Sequence, residues 1–308
     1  MSTETSVPNE RSKIAKYRWR MLAEVLNGGN CAKTADNLVS VRRFQSFGLL
    51  QSELVDNDAE EKNQGCNWYL YYCPDIPGFS MNIRQLSGEI SAERLNGFNN
   101  TGNVCVWPSE EVMTYYCMQH VQGFKGMNIC EVGGGMTCLA GVALGVCSEA
   151  SHVELTDGNE DSVQNLQRIL ENNNFGETLV DTRLLRWNSE KVDEKLLSTF
   201  DYVLCADCLF FDEGREELAQ LIFDILKPGG LALVFAPSRN NTFQKFADIA
   251  SGLFQVVIES KYDKRVWDLH CKMQEEVPET YNINLHYPIM MTLTKSSPTS
   301  REITPESR

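Results

Sequence analysis

The sequence predicts an α/β protein: a doubly wound, mostly parallel sheet of seven strands, Rossmann-like, preceded by a smaller N-terminal α+β subdomain. Three observations carry this. From residue 127 onward short apolar runs alternate with helical stretches, the pattern of βα units that stack into a parallel sheet covered on both faces. The first of these runs ends in a glycine triplet, Gly133 to Gly135, where such sheets bind ligands beyond the carboxyl ends of their strands. Before about residue 100 the segments are instead short, aromatic and β-branched, and are broken by Gly, Pro and an acidic loop at 53–61.

In chain order, residues 1–12 are rich in Ser, Thr, Pro and charge and read as a disordered tail. Apolar residues at Ile14, Tyr17, Met21 and Val25, and at Ala15, Trp19, Leu22 and Leu26, recur at helical spacing until Asn27-Gly28-Gly29 stops them. Residues 39–47, 68–73 and 79–84 read as antiparallel strands, completing a subdomain over 13–100. The catalytic domain expected over 101–295 has strands at 127–132, 152–156, 179–185, 202–206, 231–236, 254–260 and 287–294. Its helices fall at 137–147, 161–172 and 215–226, the last closed by Lys227-Pro228-Gly229-Gly230. Residues 296–308 form a second disordered tail.

Composition narrows the function classes. A chain of 308 residues with 42% hydrophobic and 23% charged residues is that of an ordinary globular protein with a sizeable core. The longest weakly polar stretch, 132–147, falls short of the ~20 apolar residues of a membrane-spanning helix. No membrane association is expected. A net charge of −14 argues against binding nucleic acid through its backbone. The charge is uneven, however, because residues 11–43 hold eight Lys/Arg against Glu24 and Asp36. The eleven cysteines are scattered, odd in number and mostly in apolar runs, and no secretory leader is evident, so a reduced intracellular location is expected. Cys205 and Cys208 form the one C-x-x-C, without the second pair that a structural zinc site requires, and no metal is expected. His120, His152, His270 and His286 have no nucleophile or metal-spaced partner and read as structural.

The chemistry concentrates behind the first strand. Gly133 and Gly135 fit G-x-G-x-x-G, but Cys138 stands at the third glycine position, which weakens a nicotinamide or flavin reading. The second strand ends at Asp157, where a carboxylate can accept both ribose hydroxyls of a nucleoside cofactor. Asp207 directly follows the fourth apolar strand, and a carboxylate there is hard to explain as core. Taken alone, Trp107, Trp187 and Phe210 read equally well as packing residues.

Glu131-x-Gly133-x-Gly135, Asp157, Leu185-Arg186-Trp187 and the segment 206–210 together resemble the seven-β-strand, class I protein methyltransferase family that modifies lysines on non-histone proteins. Within that family, NTGNVCVWPSEE at 100–111, GGGMTCLAG at 133–141, LCADCLF at 204–210, SVRRF at 40–44 and NLHYP at 284–288 are similar to the members that methylate calmodulin. The resemblance spans about 14–295.

The resemblance implies S-adenosylmethionine as cofactor and calmodulin as protein substrate, with trimethyl-lysine as product. It implies that Glu131, Gly133, Gly134 and Gly135 hold the methionine portion, Asp157 the ribose, and Trp187 with Ala206 the adenine. Trp107 closes the methionine side. Asp207 and Phe210 form a D-x-x-[YF] motif where the lysine arrives, with Phe in place of the phenol of some relatives. A monomer in the cytoplasm, and also in the nucleus, is expected. Another non-histone substrate and a nicotinamide-dependent oxidoreductase remain the alternatives.

Overall fold

The computed structural model describes residues 46–55, 65–86, 105–187, 192–209 and 214–297. The helix expected from Ile14, both tails and Phe210 lie outside them. Among the described residues the chain forms two sheets. The small one, β1 (Gln51–Leu54), β2 (Cys66–Tyr72) and β3 (Ser80–Leu86), is antiparallel in the order β1-β2-β3. Only 46–47 of the strand expected at 39–47 are described, and they are irregular. The observed edge strand β1 instead runs into the first two residues of the stretch read as an acidic loop, and all four of its residues are exposed, so it carries no inward-facing pattern to read.

The large sheet contains β4 (Asn128–Glu131), β5 (His152–Asp157), β6 (Leu179–Leu184), β7 (Phe200–Ala206), β8 (Leu226–Ala236), β9 (Gln255–Glu259) and β10 (Ile289–Thr294). Their order is β6-β5-β4-β7-β8-β10-β9, parallel except where β10 runs antiparallel to both neighbours. These are the seven strands that the apolar runs predict. The helices are α1 (Pro108–Gln119), α2 (Leu139–Cys147), α3 (Glu160–Glu171), α4 (Arg215–Ile225), α5 (Thr242–Ala250), α6 (Lys264–Glu276) and the single turn α7 (Ile283–His286).

Successive residues of each central strand feed opposite faces, as the pleat requires. Ile129, Leu204 and Phe235 join the core under α1, α2 and α3, which also takes in Phe47, Met81 and Ile83 of the N-terminal part. Cys130, Val203, Cys205 and Val234 join the core under α4 and α5. The chain winds outward from β4 through β5 to β6, then crosses back to β7 on the other side of β4. The carboxyl ends of β4, β5 and β7 therefore converge at a topological switch point, the place where open α/β sheets bind ligands. Asn165 of α3 fastens the small sheet to this edge, accepting from Arg84 Nη1 at 2.7 Å and donating to the Arg84 and Met136 carbonyls at 2.9 and 2.8 Å.

Candidate active site

The turn after β4 is shaped by its neighbours. Gly133 and Gly135 adopt left-handed φ values of 66° and 63°. A Cβ on Gly133 would lie 2.6 Å from Trp187 Cη2 and 2.8 Å from Cys208 Sγ, so only glycine fits where these two side chains meet. Gly134 N–H donates to the Thr156 carbonyl at 3.1 Å and Gly135 N–H to Asp157 Oδ2 at 2.9 Å, binding the turn to the end of β5. Asp157 Oδ1 accepts from Asn159 N at 2.8 Å. The structure thus brings Glu131, Gly133, Gly134, Gly135, Asp157, Trp187 and the β7 segment Ala206–Cys208 to one sheet edge. Trp187 also lines an open cavity of ≈ 990 Å³ beside α4, which shares no other residue with this cluster.

Three buried carboxylates surround the turn. Glu131 accepts from Gly141 N at 2.6 Å through Oε2, while its Oε1 is buried without a partner. Glu110 was not singled out by sequence as a site residue. Its Oε1 accepts from Thr137 Oγ1 and from Leu139 N at 3.2 Å, and its Oε2 accepts from Trp107 N at 3.3 Å, so it ties the start of α1 to the glycine turn. Burial pushes Glu110 up to about 7 and Asp157 up to about 6, against backbone donors that act the other way. Glu131 is raised well above the usual range, first by burial and then by the Glu110 charge. Among the described residues none of the three is paired with Lys or Arg. The neighbouring Glu111 faces elsewhere: it accepts from Phe47, Leu49 and Leu50 N–H at 2.7, 2.8 and 3.3 Å and from Ser46 Oγ, fastening the chain before β1.

Beyond β7, Asp207 is buried with a left-handed φ of 56°, and its Oδ2 accepts from Arg239 Nη2 at 2.7 Å. The Arg239 guanidinium lies 5.8 Å from the centre of the Trp107 ring, so Trp107 joins Asp207 at one mouth through this arginine. Of the histidines, His270 is lowered to about 4 by burial beside Tyr281, and His286 Nδ1 accepts from Asn282 N. Among the described residues no group of His, Cys, Asp and Glu could hold a metal ion.

A glycine turn at the switch point, an aspartate ending the next strand and an aromatic after the third define a nucleoside-cofactor site of the class I methyltransferase type. The sequence pattern of the lysine methyltransferase family matches residues 90–251, and a curated calmodulin-lysine N-methyltransferase of Arabidopsis thaliana is 31% identical over 298 residues, covering 92% of this chain and 97% of its own. The chain belongs to the lysine methyltransferase family and is an S-adenosylmethionine-dependent protein-lysine N-methyltransferase. Among solved structures, a Thermus thermophilus 16S rRNA N2 G1207 methyltransferase in complex with AdoMet and guanosine is 15% identical with TM-score 0.45, covering 80% of this chain and 51% of that one. A TehB-like SAM-dependent methyltransferase from Corynebacterium glutamicum is 16% identical with TM-score 0.42, covering 59% of this chain and 86% of that one.

The residues present fit this cofactor. S-adenosylmethionine carries a sulfonium and an ammonium against one carboxylate, and the site has unpaired buried carboxylates, including the orphaned Glu131 Oε1, that a cationic ligand would compensate.

Proposed function

We propose that this lysine methyltransferase acts on a lysine of calmodulin and carries it to trimethyl-lysine. The observation that supports this substrate is the extent of the likeness. The 298 aligned residues reach well beyond the segment 90–251 common to the family and take in nearly all of the calmodulin-modifying relative.

In this reading Gly133, Gly134 and Gly135 with Glu131 hold the methionine portion, Asp157 the ribose hydroxyls, and Trp187 with Ala206 the adenine, while Trp107 closes the methionine side. Bound cofactor supplies a methyl group on a sulfonium centre, open to in-line attack by a nitrogen lone pair. The protein must present that lone pair. A free lysine has a pKa near 10.4, so neutralising it at pH 7 costs roughly 4.6 kcal/mol. An apolar channel lowers this cost by disfavouring the ammonium. The Oδ1 of Asp207 makes no hydrogen bond among the described residues, and it orients the amine by accepting one of its N–H groups; Phe210 completes the D-x-x-[YF] motif with it. The cationic residues at 11–43, Arg42 and Arg43 among them, meet the acidic substrate and offset the repulsion expected of a chain with net charge −14.

The test is incubation of unmethylated calmodulin with the protein and S-adenosylmethionine, followed by intact-mass and peptide analysis. Successive methyl additions on one lysine are expected, and they should cease in Asp207→Ala while S-adenosylhomocysteine still binds. Unmodified calmodulin, alongside methylated lysine in another protein of a cell extract, would overturn the substrate.

A further inference from the structure

The pair formed by Asp207 and Arg239 is built with unusual backbone on both sides. Arg239, Asn240 and Asn241 follow one another in the left-handed region at φ 29°, 50° and 70°, and Asp207 is there as well at 56°. Non-glycine residues in this region are strained, and a run of three is held only when its surroundings demand it. Two ties hold the loop: Arg239 N–H donates to the Asn284 carbonyl at 2.9 Å, and Ser238 Oγ to Asn284 Oδ1 at 3.1 Å. On the other side Asp207 N–H donates to the Phe235 carbonyl at 2.8 Å. The result is an arginine side chain only 15% exposed, with its Nε buried and unbonded, against a carboxylate 7% exposed. Among the described residues the guanidinium is thus placed by the carboxylate and by the Trp107 face.

We propose that Arg239 is a positioning residue for methyl transfer, whose charge cancels that of Asp207 at the end of the site where the amine meets the sulfonium. This rests on the reading that Asp207 faces the incoming lysine. An unpaired aspartate there would hold the lysine as its ammonium, which has no lone pair to donate. An unpaired arginine would repel both cations. The pair leaves one carboxylate oxygen free to accept an amine N–H while presenting almost no net charge, so the amine is aimed without being kept protonated. Burial raises Asp207 and Arg239 opposes that rise. Among the described residues the other titratable groups at this edge include the Cys208 thiol, pushed up by its bond with Cys205, by burial and by the charges of Asp207 and Asp157; Asp157 itself at the end of β5; and Glu131 and Glu110 beside the glycine turn, both pushed up by burial.

The experiment compares S-adenosylmethionine, which carries the sulfonium, with S-adenosylhomocysteine, which does not, by calorimetry at about pH 8, on the alkaline side of the ordinary carboxylate range. Arg239→Gln should raise the preference for the sulfonium form by roughly tenfold, and Asp207→Asn should lower it by a similar factor. The double variant should return close to the wild-type ratio, and Arg239→Lys should keep it. With calmodulin as substrate, the acid limb of the kcat profile should move to higher pH in Arg239→Gln and back in the double variant. A merely structural arginine would move neither the ratio nor the limb. Unchanged ratios, or shifts of the same sign in both single variants, with S-adenosylhomocysteine affinity retained, overturn the proposal. If Arg239→Gln does not fold, Asp207→Asn and Arg239→Lys decide it by the same ratio. Opposite shifts in a protein that leaves calmodulin unmodified would uphold the charge balance and defeat the substrate assignment instead.

Discussion

Replacing Gly133 with alanine tests the claim that the turn after β4 is moulded around Trp187 and Cys208. The residue sits at φ 66°, and forcing an L side chain into that region costs about 1–2 kcal/mol. The new methyl would also stand 2.6 Å from Trp187 Cη2 and 2.8 Å from Cys208 Sγ. Overpacking of this kind costs about 1–3 kcal/mol where neighbours can shift, giving about 2–5 kcal/mol in all. Gly126 is the control, because its φ is 71° but nothing lies within 4 Å of the position its Cβ would take. Gly126→Ala should therefore cost only the backbone contribution, about 1–2 kcal/mol. Urea denaturation of both variants isolates the collision as the difference between them. Calorimetry with S-adenosylhomocysteine should show weakened binding in Gly133→Ala alone, since the indole must move. Equal stability loss in the two variants, with cofactor affinity intact in Gly133→Ala, would refute the reasoning.

Asp157→Ala removes the carboxylate proposed to accept the ribose hydroxyls and should weaken cofactor binding by roughly ten- to hundredfold, about 1.5–3 kcal/mol, measured by calorimetry on a variant shown to be folded. Glu111→Ala strands the N–H groups of Phe47, Leu49 and Leu50 and should destabilise the protein by about 2–4 kcal/mol in denaturant while leaving S-adenosylhomocysteine affinity unchanged. Glu110→Ala, by contrast, should reduce that affinity because it releases the glycine turn from α1. Glu110 and Asp157 have folded-state values near 7 and near 6, both above their unfolded ones, so the stability they contribute is complete below about pH 4 and is lost as pH rises through the folded values. The cofactor-free protein should thus be less stable at about pH 8 than at about pH 5, and S-adenosylmethionine should raise the thermal midpoint more at the higher pH; an equal rise at both would argue against cationic compensation.

The parallel strands were legible because strands buried on both faces read as continuous apolar runs, as at Val203 to Cys205 and Ala232 to Ala236. Lys227-Pro228-Gly229-Gly230 reads as a helix stop, yet α4 ends at Ile225 and β8 begins at once, with Gly229 at φ 82° and Gly230 accepting from Lys295 N–H. α1 went unread because it is buried almost all round and has no polar stripe, although Pro108 at its start and Glu110 and Glu111 in its first turn are helix-start signals. α6 lies between the last two strands, where the apolar runs of the sequence mark no helix. In the site, the glycine triplet and Asp157 are marked by strand-and-turn logic, and Glu131 by the family resemblance alone. Glu110 looks in sequence like any first-turn acid; its carboxylate matters because folding lays α1 against the glycine turn. Arg239 lies 32 residues beyond Asp207, and no local pattern marks the pairing.

The most direct measurement is a crystal structure of the protein with S-adenosylhomocysteine bound. The account predicts the ribose hydroxyls on the Asp157 carboxylate, the homocysteine chain along Gly133 to Gly135, the adenine against Trp187 and Ala206, and the sulfur directed toward the mouth shared by Trp107, Asp207 and Arg239. A ligand seated instead in the open cavity between Arg186 and Glu217, with Asp157 untouched, would contradict it.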